Sequence, residues 1–185
     1  MSTIDELQRR ALVMRRVRVL VAGVVPLEMF LYVTPPGVTS RLHPLSASIS
    51  VVAVLLGVTA LSAAVHRRIT DVDRLRTWAW AELAVDNVLS LWILYLFSFD
   101  QFSAIWTILV IVSLEGAFRG GRRGALLAWS LSAVAYTGIQ VLAAHRFPDT
   151  APLDPGSIIF RALVTGIVAM VAGQLASQLQ EALER

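Results

Sequence analysis

Long apolar runs, broken by short polar stretches rich in arginine, set the pattern of this chain. Six runs are long enough to cross a bilayer, near residues 17–33, 45–65, 77–97, 102–118, 125–144 and 157–177. A helical crossing takes roughly 17–25 residues. The pattern predicts an all-α polytopic membrane protein with six transmembrane helices, forming a domain over 17–177. Ahead of the first run, Ile4, Leu7, Ala11 and Met14 recur at helical spacing, and Thr3 with Glu6 fits a capping box. Residues 1–16 are therefore expected to form a cytoplasmic amphipathic helix, lying in the membrane interface or against a partner subunit.

The polar positions inside the runs are the candidate chemistry, because a carboxylate in hydrocarbon is costly and usually faces a protein interior or a hydrated cavity. Glu82 and Asp86 are four apart in the third run and share a face. Asn87 follows them. Glu115 precedes the basic turn Arg119-Gly-Gly-Arg122-Arg123-Gly124, with Arg119 one turn away. For Glu82 and Glu115 the favoured expectation is an ion-pair cluster with Arg119, Arg122 or Arg123. Asp86 lies deeper, and Tyr136 and Gln140 are placed to hydrogen-bond it, to bind a ligand, or simply to join helices. Glu28 in the first run and Arg161 in the last form another candidate pair, unless Arg161 snorkels outward.

The last run carries two patterns. Ala169, Gly173 and Ser177 make a stripe of small residues suited to close helix contact. Val168, Ala172, Leu175, Leu179 and Ala182 alternate steps of four and three, the spacing of a coiled-coil seam or of an ordinary amphipathic helix end. Residues 178–185 are expected to begin a cytoplasmic signalling coiled coil that continues beyond Arg185. On this reading two chains form a parallel homodimer along the seam, with Ala169 and Gly173 contributing contacts in the membrane.

Composition narrows the function classes. The chain is 56% apolar with mean hydropathy +0.68, against about 45–50% apolar for soluble domains. Cysteine is absent, which removes disulfides, thiolate metal sites and cysteine nucleophiles. All sixteen basic residues are arginine, so no lysine is present for a retinal Schiff base. His43 and His145 fall outside the runs and His66 at an edge, which argues against haem between the helices. His43, His145, Asp100, Asp149 and Asp154 have no metal-ligand spacing. No phosphate-binding glycine loop follows a strand. Thirteen of the sixteen arginines lie in one set of loops and helix ends, leaving Arg41, Arg146 and Arg161 for the other. The excess of arginine marks the cytoplasmic side, so both termini are expected there. The net charge of +3 calls for no nucleic acid, and the arginines suit anionic lipid.

Thr77-Trp-Ala-Trp-Ala-Glu-Leu-Ala-Val-Asp86, Ser103-Ala-Ile-Trp106, Leu114-Glu115-Gly-Ala-Phe-Arg119 and Arg123-Gly-Ala-Leu-Leu-Ala-Trp129 resemble the amino-terminal membrane-sensor regions of actinobacterial GGDEF-type diguanylate cyclases, and less often of sensor histidine kinases. The resemblance covers roughly 77–129. It implies a bacterial plasma-membrane sensory and dimerisation module that serves cyclic di-GMP signalling, is not itself an enzyme, and acts on a cytoplasmic output domain absent from this chain. It points to Glu82, Asp86, Glu115 and Arg119 as the matching polar positions and names no ligand; a small or apolar molecule from the membrane or outside fits. The alternatives are the substrate-binding membrane component of a small-molecule transporter, or a membrane enzyme acting through Glu82 and Asp86.

Overall fold

The structure, a computed structural model, describes residues 3–31, 44–96, 104–146, 148–149 and 152–184, with the side chains at the outer ends of several helices, Glu28 among them, outside the described set. The helices are α1 (Thr3–Leu31), α2 (Pro44–Arg68), α3 (Val72–Leu96), α4 (Ile108–Arg146) and α5 (Pro155–Glu184), with a 3-10 turn over Ala104–Thr107 leading into α4. No strand occurs among the described residues. The expected loops near His43 and Asp100 lie outside them.

The chain divides into two compact units, Met1–Glu82 and Leu83–Arg185. In the first unit α1 packs along α2. Its inner stripe is Ala11, Met14, Arg18, Ala22 and Val25, all buried; these positions recur in steps of three and four, which keeps them on one face. Helix α1 runs unbroken through the expected junction between residues 16 and 17. Val51 and Leu55 of α2 and Leu75 of α3 complete the apolar packing of this unit.

The second unit is organised by a reversal inside α4. Gly120 (φ −134°, ψ 19°) and Gly121 (φ 57°, ψ −143°) are non-helical, and a side chain at Gly121 would be strained because its φ is positive. Residues 116 and 124 would stand about 12 Å apart along a straight helix. Instead the Gly116 and Gly124 backbones touch, and a Cβ placed on Gly116 would lie 2.5 Å from the Gly124 carbonyl oxygen. The two arms, 108–119 and 122–146, therefore fold back on each other at the basic turn. This is the connection expected between the fourth and fifth runs.

Helix α5 lies against this hairpin through its small residues. Ala117, Ala125 and Ala169 form a buried cluster joined by Trp129, Ala172 and Ala176. Gly166 faces the Trp129 ring, and a Cβ on Gly173 would lie 2.8 Å from Arg122 Cα. The Trp129 indole N–H donates to the Ala162 carbonyl (3.0 Å). The Arg122 amide, at the start of the second arm where no intrahelical acceptor exists, donates to Ser177 Oγ (3.1 Å). The stripe Ala169, Gly173 and Ser177 thus takes part in packing within the chain. Ala172 of the expected seam also joins this internal packing, and Val168 is half-buried; Leu175, Leu179 and Ala182 face outward.

Among the described residues, four helical segments are long and apolar enough to cross a membrane: Ser46–Arg68, Val72–Leu96, Ile105–Arg146 and Pro155–Leu179. The third is the folded hairpin. Helix α1, with Arg15, Arg16 and Arg18 in its middle, does not count among them. Leu20, Val88, Leu127, Val134 and Leu163 are exposed on the outer faces, as lipid-facing residues are. The protein is all-helical and suited to a membrane.

The start of α5 is fixed locally. Asp154 is the N-cap: its carboxylate accepts from the Gly156 amide (3.0 Å), the Ser157 amide (3.2 Å) and the Ser157 hydroxyl (2.5 Å). Pro155 occupies the first helical position, where its missing N–H costs nothing. The Ser157 hydroxyl and amide favour the charged form and hold the Asp154 carboxyl below its ordinary range. A folded-state value below the unfolded one, about 3.9, stabilises above that pH, and the contribution is lost as pH falls through the folded value. Asp154→Ala should lower the thermal midpoint in detergent at about pH 7. The gap from the parent protein should close as pH falls below about 4; a gap independent of pH would mean that the cap does not act through charge.

Candidate functional site

Among the described residues, a buried polar cluster occurs in each unit. The first is built around Glu82, in the arginine-rich half of α3. The Glu82 side chain is 4% exposed, and a buried carboxylate is tolerated only with charge and hydrogen-bond partners. Its Oε1 accepts from Trp78 Nε1 (3.2 Å), one turn earlier on α3, and from the Ser62 hydroxyl of α2. His66 Nδ1 lies 3.6 Å from the same oxygen, and Arg18 NH1 lies 4.0 Å from it. His66 Nδ1 is also 3.0 Å from the Ser62 carbonyl oxygen; donation to that carbonyl orients the ring. Helical spacing explains the convergence: Ser62 and His66 are one turn apart on α2, while Arg18 belongs to the inner stripe of α1. All three are buried.

Glu82 is thus gathered with Arg18, Ser62, His66 and Trp78, none of which the sequence pattern singles out as its partner. The sequence pattern places His66 only at the edge of a run. The available signal was the Ser62/His66 pair at a spacing of four in an otherwise apolar helix, together with an arginine at the position of a core residue on the α1 stripe.

The second cluster joins α3 to both arms of α4 within the second unit. The Asp86 and Glu115 carboxyl groups are within hydrogen-bonding reach of each other. Arg119 binds Glu115 through Nε (2.9 Å) and NH2 (2.5 Å), as expected for its place one turn further on. Below these groups, Leu83, Val112 and Ala128 form a small apolar core. Asn87 Nδ2 donates to Ser132 Oγ (3.1 Å), and the Ser132 hydroxyl in turn donates to the Ala128 carbonyl (2.7 Å). That chain fixes the orientation of the amide and leaves Asn87 Oδ1 enclosed with no hydrogen-bond partner.

Tyr136 is almost wholly buried, but its hydroxyl accepts from Arg161 NH1 (2.7 Å) instead of serving Asp86 as one expectation had it. The Arg161 guanidinium lies 6.0 Å from the centre of the Trp106 ring, in cation–π range. Gln140 is half-buried. Glu28, the other expected partner of Arg161, has its side chain outside the described residues. No group of three or more histidine, cysteine or acidic side chains suited to a metal ion occurs among the described residues. No family model, curated protein or solved structure matches the chain.

Proposed function

We infer that the chain is a membrane-embedded sensory module that crosses the bilayer six times with both termini cytoplasmic. A stimulus acting on its polar core shifts α5, and α5 passes that shift to a cytoplasmic output domain. The resemblance of residues 77–129 makes a diguanylate cyclase, acting as a pair, the leading output, with this chain itself non-enzymatic.

The observation that carries the reading is the fit of α5 against the α4 hairpin. Gly166, Ala169 and Gly173 bring it into close contact with Trp129 and Arg122 of the hairpin, so that a shift of the arms would be passed to α5. The same arms hold Glu115, Arg119 and Ser132, so the polar core and the last helix are mechanically linked. The reversal at Gly120–Gly121 lies among Arg119, Arg122 and Arg123, which supports placing it on the cytoplasmic side. Leu175 and Leu179, exposed on α5, are the positions offered to a second copy.

A phase experiment tests the relay. The chain is joined through Glu184 to a diguanylate cyclase domain, and one to seven residues are inserted after Gln178. Each residue turns the following helix by about 100°, and seven nearly restore the phase. Cellular cyclic di-GMP should swing by about fivefold or more, the low end of ordinary coupling between sites, and return at seven. Output that ignores phase would sink the relay and favour the transporter component.

A further inference from the structure

We propose that Arg15 and Arg18, at the arginine-rich end of the first unit, form a binding site for the phosphate of an anionic lipid headgroup. The argument starts from charge. Arg18 stands beside the buried carboxylate of Glu82, with Arg15 one turn beyond Arg18 toward the start of α1. Asp71, on the connector to α3, is exposed and pairs with Arg74.

Arg15 carries the specific observation. Its Nε is enclosed and has no hydrogen-bond acceptor. An enclosed donor on a charged group without an acceptor is costly, so the site is incomplete as the chain alone builds it. The side chain as a whole is only half-buried, which leaves a route for an acceptor from outside. The Nε–H and terminal N–H of a guanidinium form a planar fork matched to two oxygens of a phosphate.

The level of the site selects the source of that phosphate. Helix α2 is a candidate span that ends at Arg68, so His66 lies at its polar boundary. Glu82 ties Arg18 to that level, and Arg15 lies about 4.5 Å further toward the polar side. Trp78, whose indole N–H reaches Glu82, is an aromatic of the kind that sits at headgroup depth. Lipid phosphates are concentrated at this depth.

The test uses the full chain in nanodiscs of phosphatidylcholine with and without phosphatidylglycerol. Bound phosphatidylglycerol is counted by native mass spectrometry, and the thermal midpoint is followed in parallel. Arg15→Gln should weaken phosphatidylglycerol retention about tenfold, the worth of one or two charge-assisted hydrogen bonds. Arg67→Gln, removing an exposed arginine at the same end, should change it by less than about twofold. Arg15→Lys keeps the charge but loses the fork, and should fall between Arg15→Gln and the parent; it is the deciding variant if Arg15→Gln does not fold. Equal losses from Arg15→Gln and Arg67→Gln, or full retention by Arg15→Gln, would overturn the site in favour of diffuse surface charge. Inorganic phosphate added in lipid-free detergent should not raise the midpoint; protection equal to that of the lipid would overturn the lipid assignment. None of these outcomes depends on the sensor reading.

Discussion

Gly124→Ala should open the α4 hairpin and lower stability by about 2–3 kcal/mol, in the upper part of the usual range for overpacking. The Gly116 and Gly124 backbones are in contact, so the added methyl would meet the Gly116 carbonyl oxygen. The obstacle is backbone on both sides, and no flexible side chain can swing away to make room. Gly116→Ala should behave alike, since its methyl would meet the Gly124 carbonyl at 2.5 Å and Ala128 Cβ at 2.8 Å. Gly138→Ala is the control on the same helix, because nothing lies within 4 Å of its Cβ position. Alanine's higher helix propensity should leave that variant neutral or more stable by up to about 1 kcal/mol. Unfolding in mixed detergent micelles, followed by the circular dichroism of the helices, separates the cases. Similar behaviour of the three variants would mean that the arms do not meet in the membrane.

Glu82→Ala should cost about 3–5 kcal/mol, the usual penalty for removing one member of a buried charge cluster. The loss comes less from the contacts removed than from what remains: Arg18, Ser62 and Trp78 keep donors aimed at an empty site. Glu82→Gln retains an acceptor for Ser62 and Trp78 and should cost less than Glu82→Ala. Replacing both charged partners, Arg18→Met with Glu82→Leu, should recover much of the loss, because an apolar pair no longer buries an uncompensated charge. A double-mutant cycle in the same micelles gives the coupling between Arg18 and Glu82. Coupling near zero, with small losses throughout, would mean that water reaches the cluster freely.

The sequence by itself determined the all-helical character, the positions of the apolar runs and the polar residues within them. Bilayer thickness and helix rise allow few other readings of 20-residue apolar stretches. It also showed the Glu115–Arg119 pair, because partners one helical turn apart are visible as spacing. The reversal at Gly120–Gly121 was legible for the same local reason: glycines among arginines between two apolar runs mark a turn. Only the tertiary structure decided which side chains meet across helices. Arg18 meets Glu82 sixty-four positions away, and Asn87 meets Ser132 forty-five away; such pairings depend on helix rotation and neighbour order, which periodicity does not encode. The stripe on α5 illustrates the limit. Ala169 and Gly173 announced a close helix contact, but small residues fit a neighbouring helix of the same chain as well as a second copy, and only the tertiary structure shows Trp129 and Arg122 of the same chain packed against this stripe.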